Sequence, residues 1–276
     1  MFVALPEPFD FALTTERFRA FGDDPANRWI DGRLVRVLAG REVAIGPAPG
    51  GVEIDEPLEE ETRRFLGAGF DLAPLAASED PVLSRLAVEL RGLRPALVPD
   101  PIEALVTAIT SQQISLRAAS AIRGRLIQAL GVEHANAWAF PTRERLAAAA
   151  PEELVALGFS SRKAEYTVGL AQSDLDFAAL AGLSDDEVKR ELVSLPGLGD
   201  WAADWYLARH LGRPDAWPAG DLALRKVVSA FYTEGQTLTI DEVRRFGDRF
   251  AGHRNLAAHY LLVGARVERQ LPAEIP

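Results

Sequence analysis

Cysteine is absent from this 276-residue chain, which excludes disulfides, thiolate zinc sites, iron–sulfur clusters and cysteine nucleophiles together. Histidine is scarce. His134, His210, His253 and His259 show no His-x-x-x-His spacing, so a catalytic zinc site is not expected and the four read as structural residues. Positive charge is in deficit as well: Lys and Arg number 30 against 40 Asp and Glu, for a net charge of −10. Residues 1–98 carry −6 and residues 99–276 carry −4, so neither part is basic. Affinity for phosphates rests on Lys and Arg, so this charge argues against indiscriminate nucleic-acid binding. No run approaches the ~20 apolar residues that span a bilayer. The opening MFVALPEPFD has no basic region and no long apolar stretch, so neither a secretory signal nor a membrane anchor is expected, and a soluble cytoplasmic protein is the default. There is no phosphate loop and no dinucleotide fingerprint.

What is present is ordinary globular material, 48% hydrophobic and 25% charged, enough to bury a core in one large or two moderate domains. Residues 1–75 read as strands. FDFALTT and then RWIDGRLVRVLAGREVAIGP alternate apolar and polar residues, Asp31-Gly32 is a hairpin signal, and a second turn falls at Ala39-Gly40-Arg41. Pro-Gly-Gly at 49–51 leads into VEID, and a helix follows from about Leu58 through Phe65. From about Pro81 the spacing changes to three and four residues, the mark of amphipathic helices. Pro101 opens a long helix that Gly131 closes, and Ser184 with Glu187 makes a capping box. The expectation is an α+β fold: residues 1–80 form a mixed domain with an antiparallel sheet and helices, and residues 81–276 form an all-helical domain of two lobes with a cleft between them.

The most informative segment is Glu191 to His210, ELVSLPGLGDWAADWYLARH. An amphipathic helix ends at Leu195, Pro-Gly-Leu-Gly makes a tight turn, and a second helix begins near Asp200, which can serve as its cap. Pro196 halts the first helix, while Gly197 and Gly199 permit positive φ and present no Cβ to an approaching ligand. The free N–H groups and dipole of the second helix then form an anion site, which can grip a backbone phosphate without a lysine. An αα-hairpin whose glycines only make the turn is the alternative.

Downstream, Asp221 stands where a loop enters the apolar helix LALRKVVSAF. Aspartate is a common N-cap, and the cap role is compatible with chemistry, because capping keeps the carboxylate ionised. An ionised carboxylate stabilises an oxocarbenium-like sugar during N-glycosidic cleavage and can orient the attacking water. Trp201 and Trp205, spaced by four, share one helix face. They are either core anchors or the two walls of a slot for a flat base, best suited to one made cationic by alkylation.

The hairpin Leu195-Pro-Gly-Leu-Gly199, the Gly-Asp at 220–221 and TAITSQQISLRAAS at 107–120 together resemble the helix-hairpin-helix DNA glycosylase superfamily, and within it the 3-methyladenine DNA glycosylase II branch. The resemblance covers roughly residues 80–265. It implies a monofunctional glycosylase that flips an alkylated purine out of damaged double-stranded DNA and hydrolyses its N-glycosidic bond without a cofactor; a monomer is the default expectation. It makes Asp221 the catalytic carboxylate and Trp201, Trp205 and Leu222 the base pocket. Backbone amides of Gly197, Gly199 and Ala202 would meet a phosphate, and carbonyls of Val193, Leu195 and Leu198 could hold a monovalent cation. Trp201 occupies the position where glycosylase-lyases of the family carry a Schiff-base lysine, which implies hydrolysis by water. Gln112 and Gln113 fall where the family inserts a wedge into the minor groove, a place some members give to leucine. As a mid-helix pair facing solvent they would have no such role. Arg117, Lys226 and Arg254 are candidate phosphate contacts. The chain departs from the family at Leu222, where some relatives carry tyrosine, and at Asp204, often uncharged elsewhere; both bear on substrate range. Two other readings stay open on the residues: a non-catalytic helix-hairpin-helix DNA-binding module, and a glycosylase for oxidised or deaminated bases.

Overall fold

The computed structural model describes residues 1–268; the last eight residues of the expected helical domain, 269–276, lie outside them. Five strands, β1 (Phe2–Ala4), β2 (Arg28–Ile30), β3 (Arg33–Leu38), β4 (Arg41–Ala48) and β5 (Gly51–Ile54), form one antiparallel sheet in the order β1-β5-β4-β3-β2. Its hairpins close on two-residue turns whose backbone is left-handed at both positions: φ is 49° and 78° at Asp31-Gly32, and 46° and 74° at Ala39-Gly40. That twist matches the twist of the strands it joins. The register pairs Ile30 with Arg33 and Leu38 with Arg41, which sends Leu34, Val43, Ile45, Val52 and Ile54 into a small core with Leu58, Phe65 and Leu66.

The helices follow as α1 (Phe11–Thr14), α2 (Glu59–Phe65), α3 (Ala73–Ala76), α4 (Pro81–Glu89), α5 (Pro101–Ser111), α6 (Leu116–Leu130), α7 (Arg143–Ala148), α8 (Pro151–Ala156) and α9 (Ser161–Gln172). They continue as α10 (Phe177–Leu180), α11 (Asp185–Val193), α12 (Asp200–Tyr206), α13 (Leu222–Tyr232), α14 (Ile240–Phe246) and α15 (Arg254–Val267). All but the first two belong to a second, larger core that runs from Phe70 to Ala265. At its centre lies α15, buried at every position from Asn255 to Ala265, a helix apolar all round because it is surrounded. An antiparallel sheet followed by helices is the α+β class the sequence implies, while Phe70 and, on α3, Leu75, both inside the expected first domain, pack into the larger core.

Three local expectations are corrected. FDFALTT is not a strand: Asp10 accepts the amide of Leu13 at 2.8 Å and caps α1, which buries Phe11 and Thr14. The side-chain cap outweighs a weak alternation. The helix expected from Pro101 to Gly131 is two, α5 and α6, broken at Gln112-Gln113-Ile114, with Gln113 at φ 56° and Ser115 capping the restart through the Ala118 amide. The helical body is also not wholly helical. A short hairpin, β6 (Val132–Glu133) with β7 (Trp138–Ala139), follows α6 and reaches the first domain, where Glu42 accepts the amides of Asn136 at 2.7 Å and Ala137 at 2.9 Å. The capping box of Ser184 and Glu187 forms as expected at the start of α11.

Candidate active site

The hairpin joins α11 to α12 through Ser194–Gly199. Gly197 adopts φ 86°, and a Cβ there would lie 2.4 Å from the ring of Tyr166 on α9, so the turn requires glycine both for its backbone and for this close approach. Gly199 is the N-cap of α12, with open space where a Cβ would be and no side-chain cap. Asp200, expected to cap α12, is its first residue instead. Ala202 also departs from expectation: its N–H points along the helix to the Gly199 carbonyl at 2.9 Å, leaving the exposed donors at the turn itself. Leu195 accepts the amide of Leu198 at 3.2 Å, a long bond that leaves its oxygen a lone pair.

The break between α5 and α6 is tied to this hairpin. The Gln112 amide donates to the Gly197 carbonyl at 2.8 Å, and Lys163 Nζ donates to the carbonyls of Thr110 at 2.8 Å and Gln112 at 2.6 Å. A lysine on the last carbonyls of a helix opposes their partial negative charge. Lys163 and Tyr166, three apart on α9, therefore hold both turns from one helix face. Gln112 is thus committed to the hairpin and is not a wedge. Gln113 is exposed at the tip. Sequence reasoning missed Lys163 and Tyr166, since helical spacing places them on one face but says nothing of what that face meets.

Asp221 caps α13 as expected, Oδ1 accepting the Leu224 amide at 2.9 Å. Its other oxygen is the focus of the site. Trp201 Nε1 donates to Oδ2 at 2.8 Å and Trp205 Nε1 at 2.9 Å. Three N–H groups from two helices thus converge on one half-buried carboxylate, stabilising its negative charge and fixing its plane. The two indoles are therefore first of all donors to Asp221. Trp205 is 7% exposed, one face is covered by the Arg209 guanidinium 3.7 Å from the ring centroid, and His259 packs against its edge. The expectation that both tryptophans offer faces for stacking holds at most for Trp201, which is only half-buried.

Leu222 is 45% exposed immediately after the carboxylate. Asp204 points away from the site: it is buried against α11, where Lys189 Nζ approaches its carboxylate to 2.6 Å, while burial raises its pKa. Of the candidate phosphate contacts, Arg254 pairs with Asp215 at 3.0 Å and Asp248 at 3.1 Å, and Arg117 and Lys226 lie on the exposed sides of α6 and α13. Among the described residues no group of His, Asp and Glu could hold a metal ion.

Residues 106–250, from α5 through the hairpin and the carboxylate, match the family model of the HhH-GPD superfamily base excision DNA repair protein. The chain belongs to this superfamily. A DNA-3-methyladenine glycosylase of Bacillus subtilis is 28% identical over 222 residues, covering 75% of this chain and 73% of that protein. Among solved structures, the 3-methyladenine DNA-glycosylase of Archaeoglobus fulgidus superimposes with a TM-score of 0.86 at 27% identity, over 98% of this chain and 100% of that one. The 3-methyladenine DNA glycosylase Mag1 of Schizosaccharomyces pombe, solved with abasic DNA, gives 0.61 at 26% identity, over 73% and 98% of the two chains. With its sheet, hairpin and capped carboxylate, this HhH-GPD protein is of the 3-methyladenine glycosylase type.

Proposed function

We propose that the chain is a monofunctional alkylbase DNA glycosylase of base excision repair, which hydrolyses the N-glycosidic bond of a flipped nucleotide in damaged duplex DNA. The observation that carries this reading is the convergence of the Trp201, Trp205 and Leu224 N–H groups on the half-buried Asp221 carboxylate. A carboxylate held in this way is preorganised to stabilise positive charge at the anomeric carbon as the base departs. Alkylation at N3 or N7 makes the base a cation and a good leaving group, so no general acid is required. Water then adds to the sugar and an abasic site remains.

The half-buried face of Trp201 offers stacking for the flipped base, and Leu222 lines the mouth. Gln113 enters the stack and faces the orphaned base in this reading, which its exposure on a left-handed backbone between α5 and α6 supports. Turn amides at Gly197 and Gly199, with the end of the α12 dipole, supply the phosphate contact that a chain of net charge −10 otherwise lacks. Carbonyls of Val193, Leu195 and Leu198 are neutral oxygen donors that suit an alkali cation bridging to the same phosphate. Hydrolysis without lyase chemistry is supported at Trp201, where an indole rather than an amine faces Asp221, and by the engagement of Lys163 and Lys189 with other groups. The protein acts in this reading as a monomer. No described helix is long and apolar enough to cross a membrane.

Asp221→Asn keeps the cap geometry and removes the charge. The variant is expected to bind methylated duplex with unchanged affinity and to release free base about 10³-fold more slowly. Base release at the wild-type rate would overturn the assignment.

A further inference from the structure

At the end of α5 a lysine stands where backbone amides would otherwise be. A helix pairs each N–H with the carbonyl four residues earlier, so a continuous α5 would give the Thr110 carbonyl to Ile114 and the Gln112 carbonyl to Leu116. Lys163 Nζ, reaching over from α9, takes both instead, at 2.8 and 2.6 Å. The ammonium is drawn partly out of water to do so, which lowers its pKa. Just past the second carbonyl, Gln113 turns left-handed at φ 56°. That conformation costs a residue with a Cβ free energy, and it persists where neighbouring groups hold it. Ser115 then restarts the chain as α6 by accepting the Ala118 amide at 3.2 Å. Of residues 112–115, Gln113 is the exposed one.

The same lysine is joined to the glycine hairpin. Gln112, whose carbonyl Lys163 holds, donates its side-chain amide to the Gly197 carbonyl at 2.8 Å. Three residues along α9 from Lys163, the Tyr166 ring packs against Gly197. Side chains three apart share a helix face, so one face of α9 meets both left-handed turns, at Gln113 and at Gly197. The opposite side of α9 is anchored in the large core through Ala164, Val168 and Leu170. Both turns are thereby referred to one rigid element. Asp221 takes no part in this arrangement, since its hydrogen bonds come from Trp201, Trp205 and Leu224.

We propose that Lys163 is a positioning residue for base flipping: by occupying the Thr110 and Gln112 carbonyls it stops α5 from running on and keeps Gln113 projected while the hairpin holds the phosphate. The inference rests on the glycosylase reading, with Gln113 as the inserted side chain, and adds what holds that side chain out. Without the lysine, the helix recovers its own hydrogen bonds and Gln113 folds back onto its flank. Extruding a paired base costs unstacking and unpairing energy, and a side chain that fills the gap offsets part of that cost. Lys163 therefore matters in proportion to how firmly the target is paired. How easily the glycosidic bond breaks is left to Asp221.

The test is single-turnover release of 7-methylguanine, at saturating protein, from two duplexes of matched sequence. In one the lesion is paired with cytosine; in the other it lies inside a small mispaired bubble and is already unpaired. Wild type, Lys163→Met, Gln113→Ala and the double variant are compared, and the affinity of each for undamaged duplex is measured. Lys163→Met is expected to release the paired lesion about 10-fold more slowly, a fraction of the unpairing cost, and the bubble lesion within about 2-fold of wild type. Its duplex affinity should stay within about 3-fold. Gln113→Ala should give the same pattern, and adding Lys163→Met to it should cost little more, because the lysine acts through that residue. Equal losses on the two duplexes would show a purely structural residue and overturn the proposal. A loss explained by duplex affinity, an unchanged rate on the paired lesion, or full additivity of the two substitutions would overturn it as well. If Lys163→Met fails to fold, Lys163→Gln, which keeps a donor on a shorter arm, decides by the same paired-to-bubble ratio. Release from neither duplex by wild type sinks the glycosylase reading itself, whereas release from both with an unchanged ratio in the variants sinks this inference alone.

Discussion

Asp221 owes its reactivity to what donates to it. One oxygen is occupied by the helix it caps, and the other takes both indole N–H groups, so the carboxylate cannot rotate without losing a bond. Trp205→Phe keeps an aromatic ring in the buried position but deletes one donor. A hydrogen bond to a charged group is worth about 1.5–3 kcal/mol, so the variant should release alkylated base roughly 10- to 100-fold more slowly with little change in duplex affinity. Single-turnover rates set beside a binding isotherm check this; a change confined to affinity would mean that Trp205 only fills space. Asp221 itself was legible in the sequence, because a cap before an apolar helix is a local pattern. Which atom of each tryptophan faces it was not, since spacing by four puts two rings on one face without orienting either.

Around the hairpin, two turns and one helix act as a unit. α9 supplies Lys163 to the end of α5 and the Tyr166 ring to Gly197, and Gln112 links the two turns directly. Gly197→Ala would force a Cβ into that ring at a left-handed φ. A cost of at least ~2 kcal/mol is expected, seen as a lower denaturation midpoint, together with weakened duplex binding, because the phosphate-facing amides would move. Binding at wild-type affinity would show that the turn does not carry the DNA contact. The glycine turn and the strand hairpins could be read directly, for positive φ is a demand on single residues. The break at Gln112-Gln113 could not. Nothing in TSQQIS forbids a continuous helix, and only the lysine from another helix and the hairpin carbonyl make stopping there favourable. FDFALTT failed for a related reason: its alternation is weak, and its cap and its buried Phe11 outweigh it.

Across the whole molecule, the sheet and the helical body are fastened by a buried ionic cluster. Glu103 on α5 accepts from Arg36 of β3 at 3.1 Å and from Arg123 of α6 at 2.6 Å; Arg123 also pairs with Asp24, and Arg36 with Asn27 at 3.0 Å. Glu103→Gln leaves two buried guanidiniums without their shared counter-charge and should cost about 3–5 kcal/mol in a urea titration. A loss under ~1 kcal/mol would mean that water reaches the cluster. Stability should depend on pH as well. Burial holds His210 down at about 4 and His259 at about 3, so between roughly pH 6.5 and 5 the unfolded chain binds protons that the native chain does not. Unfolding free energy should therefore rise with pH across that window, by up to about 1.4 kcal/mol per unit for each histidine, and His259→Asn should flatten the slope by about half.

The α+β class, the hairpin with its glycines and the aspartate before α13 were all legible in local stretches of sequence. Each depends on backbone propensities and side-chain periods that operate over a few residues. That Gln112 anchors while Gln113 protrudes, that Asp204 turns to Lys189, and that Arg209 lies on Trp205 follows from packing between distant segments. Those outcomes depend on which faces meet across long stretches of chain, and a contact between distant segments is an energy that no local window contains.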